Sequence, residues 1–248
     1  MKAIFPRLRT LVWQARAANS WRVIASARIY LLGLRKRLAT LLALLPLTLT
    51  AYAALEIAPD AIATIEREYG APAVRRIERW QRMMEFASDF KEDEKLKMVN
   101  DFFNSVKFVE DSKNWGVDDY WATPIEFLAK NGGDCEDFSI AKYFTLIAIG
   151  VPEARLRMTY VTAVGVNRSH MVLTYFSSPR AMPLVLDNLN PRILPASERE
   201  DLVPVYSFNG SGLWLAKSIG SGREIAGSNR LGAWRGLQAR MHSMLFSE

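Results

Sequence analysis

Three residues of this 248-residue sequence have the chemistry to make a nucleophile together: Cys135, His170 and Asp187. Cys135 is the single cysteine, so it has no intramolecular disulfide partner. A thiol attacks only as thiolate, and a helix N-terminus and a nearby imidazolium both favour that form. Cys135 falls in the first turn of a predicted helix capped by Asp134, where exposed backbone N–H groups, its own first, offer an oxyanion hole. Of the two histidines, His242 lies in the terminal tail, whereas His170 opens an apolar strand after the turn Asn167-Arg168-Ser169. An imidazole that accepts the thiol proton needs its other nitrogen held by an acceptor, and Asp187 ends the next strand, Leu184-Val185-Leu186-Asp187. The chemistry would be thiolate attack on an acyl carbon. The acyl-enzyme would then pass to water, as in a protease, or to an amine, as in a transglutaminase. Each residue also has a plain reading: a small buried cysteine, a satisfied core histidine, and a turn at Asp187-Asn188. Their joint occurrence favours catalysis over a non-catalytic binding module.

Carboxylates crowd the thiol in Asp134-Cys135-Glu136-Asp137. Like charges there would raise the cysteine pKa and oppose the thiolate. Two readings stay open. Asp134 and Asp137 cap the helix and complement its dipole, or Asp134, Glu136 and Asp137 hold a hard cation such as Ca²⁺, which takes oxygen ligands and would cancel the repulsion. No twelve-residue EF-hand loop is present.

The elements that must position these groups follow from periodicity. Ile62 to Tyr69, Val74 to Phe86 and Lys95 to Val106 carry apolar residues at helical spacing. Thr123-Pro124-Ile125-Glu126 has a cap, a proline at the first helical position and a capping-box glutamate; that helix stops at Asn131-Gly132-Gly133. The cysteine helix runs from Asp134 to Gly150. After Pro152 the period becomes extended: Arg157 to Val166, His170 to Phe176, Leu184 to Asp187, Pro204 to Phe208 and Leu213 to Ala216. Short connections favour antiparallel pairing. The expected fold class is α+β, with helices first and an antiparallel sheet after them. From Ser218 a polar, glycine-rich tail regains helical spacing at Trp234, Leu237, Met241 and Leu245; it either docks on the body or stays mobile.

Composition sets the context. Half of the residues are hydrophobic, enough for a real core, and the formal net charge is +6. Nine of the 32 basic residues precede Glu56, the first acid, so from there on 23 Lys and Arg face 26 acids. The body is therefore not basic, which removes the main support for a nucleic-acid partner. The asymmetry has a local origin: Arg35-Lys36-Arg37, a Leu/Ala-rich run from Leu38 to Leu49, and Ala51-Tyr52-Ala53 make a signal peptide with expected cleavage after Ala53. An uncleaved anchor is the alternative, although the run is short for a span and carries Pro46. Before Arg35, Trp13, Trp21, Ile24 and Tyr30 mark either an amphipathic arm or a misassigned start. The organisation expected is a basic leader and signal over 1–53, a catalytic domain over 54–217 and a tail over 218–248.

The motifs also carry a resemblance. Trp115-Gly116, the run from Asp119 to Glu126, Gly133-Asp134-Cys135-Glu136-Asp137-Phe138, Ser169-His170-Met171-Val172-Leu173 and Leu186-Asp187-Asn188-Leu189 together resemble the bacterial transglutaminase-like cysteine proteinase family, and within it the LapG type. The resemblance spans roughly Trp115 to Trp214. It implies a papain/transglutaminase-like fold and a calcium-dependent periplasmic endopeptidase that clips a large surface adhesin near its N-terminus at a di-alanine site, dispersing biofilm. It places the triad on Cys135, His170 and Asp187, and the calcium ligands on Asp134, Glu136 and Asp137. It also implies an inner-membrane cyclic di-GMP receptor as inhibitor, with Trp115 at the contact.

Overall fold

The computed structural model describes residues 57–248 apart from 166, 219–220, 228–230 and 246–248. The basic arm, the signal and the expected cleavage after Ala53 lie outside the described residues. Among the described residues no helix is long and apolar enough to cross a membrane.

Three helices come first: α1 (Pro59–Tyr69), α2 (Ala71–Ala87) and α3 (Glu92–Asn104). Gly70, at φ 77°, separates the first two in a conformation open to glycine. Ala73, Ile77, Trp80, Met84 and Ala87 make the buried stripe of α2, at the three- and four-residue spacing of one helix face. A short helix α4 (Asp111–Asn114) and then α5 (Pro124–Lys130) lead toward the site. The expected capping box is present: Glu126 N–H donates to Thr123 Oγ1 at 3.1 Å and Thr123 N–H to Glu126 Oε2 at 2.7 Å. Arg76 of α2 donates to the carbonyls of Leu128 and Ala129 at 2.6 and 2.7 Å, satisfying the open C-terminal end of α5.

Helix α5 stops at Asn131-Gly132-Gly133, as expected. Asn131 takes the left-handed conformation, φ 56°, while the two glycines form an extended strand β2 (Gly132–Gly133) parallel to β1 (Lys107–Phe108). Glycine is needed at 133 for close approach, since a Cβ there would overlap the Asp137 carboxylate and the Phe127 ring.

Helix α6 (Cys135–Ala148) runs through the core of the described residues. Every residue from Asp137 to Tyr143 is buried, the mark of a helix covered on all sides. Trp80 Nε1 donates to Thr145 Oγ1 at 2.8 Å, and Lys95 Nζ caps the far end through the Ile149 carbonyl at 2.6 Å. On its other side lies a seven-stranded sheet in the order β6-β5-β4-β3-β7-β8-β9, antiparallel throughout. Its strands are β3 (Leu156–Ala163), β4 (Arg168–Tyr175), β5 (Leu184–Leu186), β6 (Leu194–Pro195), β7 (Leu202–Phe208), β8 (Leu213–Ser218) and β9 (Ser221–Ala226). Met171 and Leu173 of β4 join the main core under the helices, while Val172 joins a smaller apolar cluster with Val161, Val185 and Leu202. That split is the two-residue alternation of a strand.

The segment read as a tail supplies β9 and a final helix, α7 (Gly232–Leu245). Of the two outcomes left open, it docks. Trp234, Leu237 and Met241 are buried in the main core, with the Trp234 ring stacked on Phe144 at 5.6 Å. Helices first and an antiparallel sheet after them is the α+β arrangement expected, with one helix added at the end.

Candidate active site

Cys135 is the first residue of α6, and His170 is the third of β4. Helix and strand are tied beside both: Ser139 Oγ lies 3.0 Å from the Cys135 carbonyl and 3.1 Å from that of Met171. The Met171 backbone N–H lies against the sulfur. Cys135 and His170 line one cleft of about 650 Å³, together with Asp118, Asp119, Trp121, Asp134, Glu136, Tyr160 and Tyr206. Tyr160 and Tyr206 stack nearly parallel, 5.1 Å between centroids, and form an aromatic wall.

His170 Nε2 lies 2.8 Å from Asp187 Oδ1, and both residues are buried. An ionised carboxylate only accepts, so Nε2 carries the proton and Nδ1 presents a lone pair. Asp187, one residue beyond β5, receives two further donors: Leu189 N–H to Oδ1 at 2.9 Å and Arg199 Nη2 to Oδ2 at 2.7 Å. Burial pushes its pKa upward, but the His170 hydrogen bond and charge, the Leu189 amide and Arg199 outweigh burial and bring it down to about 2. The carboxylate is thus charged at any working pH. The structure brings Asp187 and His170 into direct contact and puts His170 and Cys135 in one cleft.

The thiol is opposed by its surroundings. Burial first, then the charge of Glu136, whose Oε2 accepts from Sγ at 2.9 Å, then Asp134, push the Cys135 pKa well up. The carboxylates repel one another as well. Burial, with the charges of Glu136 and Asp137, raises Asp134 to about 9. Burial raises Asp111 to about 6 against the pull of the Tyr120 N–H. Asp137 is raised too, chiefly by burial, although its Oδ1 accepts from Ala122 N–H at 2.7 Å and its Oδ2 from Asp134 N–H at 3.4 Å. Asp137 therefore performs the capping role weighed from the sequence and pins the chain before α5.

These acids also fit a hard cation. Asp111, Asp134 and Asp137 bring carboxylate oxygens within 4.8 Å of one another, as do Asp111, Asp119 and Glu136. The buried oxygens Asp134 Oδ1 and Asp111 Oδ1 have no hydrogen-bond partner, which is costly unless something positive meets them. Sequence reasoning named Asp134, Glu136 and Asp137 and missed Asp111 and Asp119. Both precede Cys135 by many residues, and only the fold of α4 and the loop after it brings them to it. It also missed Arg199, which no motif marks.

Comparison with known proteins now decides the family. A model described as bacterial transglutaminase-like cysteine proteinase matches residues 76–214, a span that contains Cys135, His170 and Asp187. The chain belongs to this family. It is therefore a cysteine protease. Solved structures of LapG from Legionella pneumophila are 42% identical to the proteinase. An EGTA-treated form has a TM-score of 0.65 and covers 73% of this chain and 96% of its own. A calcium-bound form has a TM-score of 0.64 and covers 73% and 98%. Comparison with curated protein sequences yields no match.

Proposed function

We propose that this proteinase is a periplasmic, calcium-dependent endopeptidase that cleaves the N-terminal region of a large surface adhesin at a di-alanine site, releasing the adhesin and dispersing biofilm. The observation that carries the reading is the set of raised, partly unpartnered carboxylates at the thiol, in a chain 42% identical to a LapG solved with calcium. The adhesin, its cleavage site, the periplasmic location and regulation by an inner-membrane cyclic di-GMP receptor extend the motif resemblance to this chain.

Chemically, His170 Nδ1 takes the proton of Cys135, and the sulfur attacks the peptide carbonyl carbon. The Cys135 amide at the start of α6 donates to the oxygen that gains the charge. As the C–N bond breaks, the His170 proton passes to the departing amine. His170 then takes a proton from water, whose oxygen displaces the sulfur and frees the acid, and the proton held on His170 returns to the departing sulfur. Asp187 keeps the ring oriented and stabilises its charge throughout. Asp134 and Glu136, with Asp111, Asp119 and Asp137 beside them, would hold the calcium, which when bound offsets the negative charge that opposes the thiolate.

Trp115 is proposed as a receptor contact. Its ring packs tilted against Tyr120 at 4.4 Å between centroids and carries Lys130 over its face at 4.8 Å. Trp115→Ala should weaken inhibition by the receptor without slowing cleavage.

The test is incubation of the proteinase with an N-terminal adhesin fragment and calcium, with the products weighed by mass spectrometry. A single cut between two alanines supports the reading. Absence of any cut, or cuts scattered elsewhere, defeats it.

A further inference from the structure

The triad carboxylate is held from a side that the three catalytic residues do not account for. Arg199 follows the short turn after β6 and is 3% exposed. Its Nη2 donates to Asp187 Oδ2 at 2.7 Å. The same guanidinium is gripped by Asp201, with Nε to Oδ1 at 2.9 Å and Nη2 to Oδ2 at 2.8 Å. The Asp201 side chain is 56% exposed, so the chain of contacts runs from solvent through Arg199 to Asp187 and His170.

We propose that Arg199 is a positioning residue of the catalytic machinery, acting through Asp187 to fix the plane and tautomer of His170. This rests on the triad reading above. The reason is geometric. On Oδ1, Asp187 serves both the imidazole and the Leu189 amide. With Oδ2 free, the carboxylate could turn about its terminal torsion and draw the ring with it, because that torsion is broad and two-fold. A guanidinium held at two points by Asp201 is a fixed fork and removes the freedom. The second reason is charge. A carboxylate this buried needs a lasting cation besides the neutral hydrogen-bond donors on Oδ1. Lys142 of α6, also buried, feels the charges of both Asp187 and Asp101, but makes no ion pair with Asp187 among the described residues, and burial lowers its pKa to about 7. Arg199 is the constant charge of the pair.

The test uses Arg199→Met, Arg199→Lys and Asp201→Asn in the full chain, assayed with calcium on an internally quenched peptide carrying an Ala-Ala pair. The second readout is the proton resonance of His170 Nε2–H in histidine-labelled protein. With only two histidines in the sequence, that resonance is assignable. Arg199→Met should lower kcat by about 10- to 100-fold at nearly constant KM, the scale of a small misplacement of a reacting group, and should move or broaden the resonance. Arg199→Lys should restore part of both, and Asp201→Asn should give a smaller change of the same kind. Wild-type kcat and an unmoved resonance in Arg199→Met would overturn the proposal, as would a loss confined to thermal stability or KM. If Arg199→Met does not fold, Asp201→Asn decides on the same two readouts. If the wild type leaves the peptide uncut, the resonance still reports on Arg199, so failure of the substrate reading is separable from failure of the positioning role.

Discussion

His170 Nε2 donates to Asp187 Oδ1 across 2.8 Å, with the two side chains 4% and 0% exposed. This puts the ring proton on Nε2 and leaves Nδ1 as the acceptor. Asp187→Asn should let the ring take the opposite tautomer and should strand the Arg199 cation in the interior. Activity should fall by about 10³- to 10⁴-fold. Stability should fall by about 3–5 kcal/mol, the cost of breaking a buried ion pair from one side. Steady-state kinetics and urea unfolding measure the two effects separately.

The acid cluster makes metal-free stability depend on pH in a direction opposite to that of Asp187. Asp134 and Asp111 have folded pKa values raised from 3.8 to about 9 and about 6, so between pH 4 and 9 the folded state holds more protons than the unfolded one. Stability in chelator should therefore fall as pH rises through that window. Asp187, lowered to about 2, adds stability above pH 4 that is lost as pH falls toward 2. Calcium should raise Tm most at the alkaline end and release protons on binding. Thermal unfolding in calcium and in chelator from pH 5 to 9 checks this, and a Tm gap that does not widen with pH would contradict it.

Glu136 contacts the thiol directly, so its charge should be felt in alkylation. In chelator, Glu136→Gln should react with iodoacetamide faster than wild type, because one like charge is gone. In calcium the order should reverse, because the variant has lost a candidate ligand. Alkylation rates at pH 7.5 in both conditions give the comparison.

Docking of α7 carries an expectation for both stability and activity. Trp234 is 1% exposed and touches Tyr143, Phe144 and Phe208, so Trp234→Ala should cost about 3–5 kcal/mol. Arg240, on the same helix, donates to the Trp121 carbonyl and pairs with Glu126 at 3.4 Å. Loosening α7 should therefore also disturb the cleft wall and lower activity in the variant before it unfolds. Urea unfolding followed by circular dichroism, with activity read in parallel, tests both.

The helices and the long strands were legible because each carries a local signal: the stripe of α2, the capping box at Thr123 and Glu126, and the apolar run of β4 after the turn Asn167-Arg168-Ser169. The sequence placed Cys135 at a helix start and His170 on a strand for the same reason, and put Asp187 at the end of the next strand, which closes one residue earlier at Leu186. What stayed hidden depends on long-range closure. Asp111 and Asp119 approach Cys135 only when α4 and the loop after it fold against the start of α6. Arg199 meets Asp187 only because β5 and β6 form a hairpin that returns the chain to it. Strands β1 and β2 are two residues each, too short for any period to show, and Gly132 and Gly133 signal a stop when read locally. Docking of α7 was undecided because a helical stripe after a polar stretch says what face is apolar but not what covers it.

The most direct measurement is cleavage of an adhesin N-terminal fragment containing an Ala-Ala site by the wild type, by the wild type in chelator and by Cys135→Ala. Cys135→Ala removes one small side chain at a helix start and should keep the fold. The expected result is cleavage by the wild type in calcium and none in the other two samples. Cleavage that survives Cys135→Ala would contradict the assignment of the nucleophile and with it the whole reading of the site.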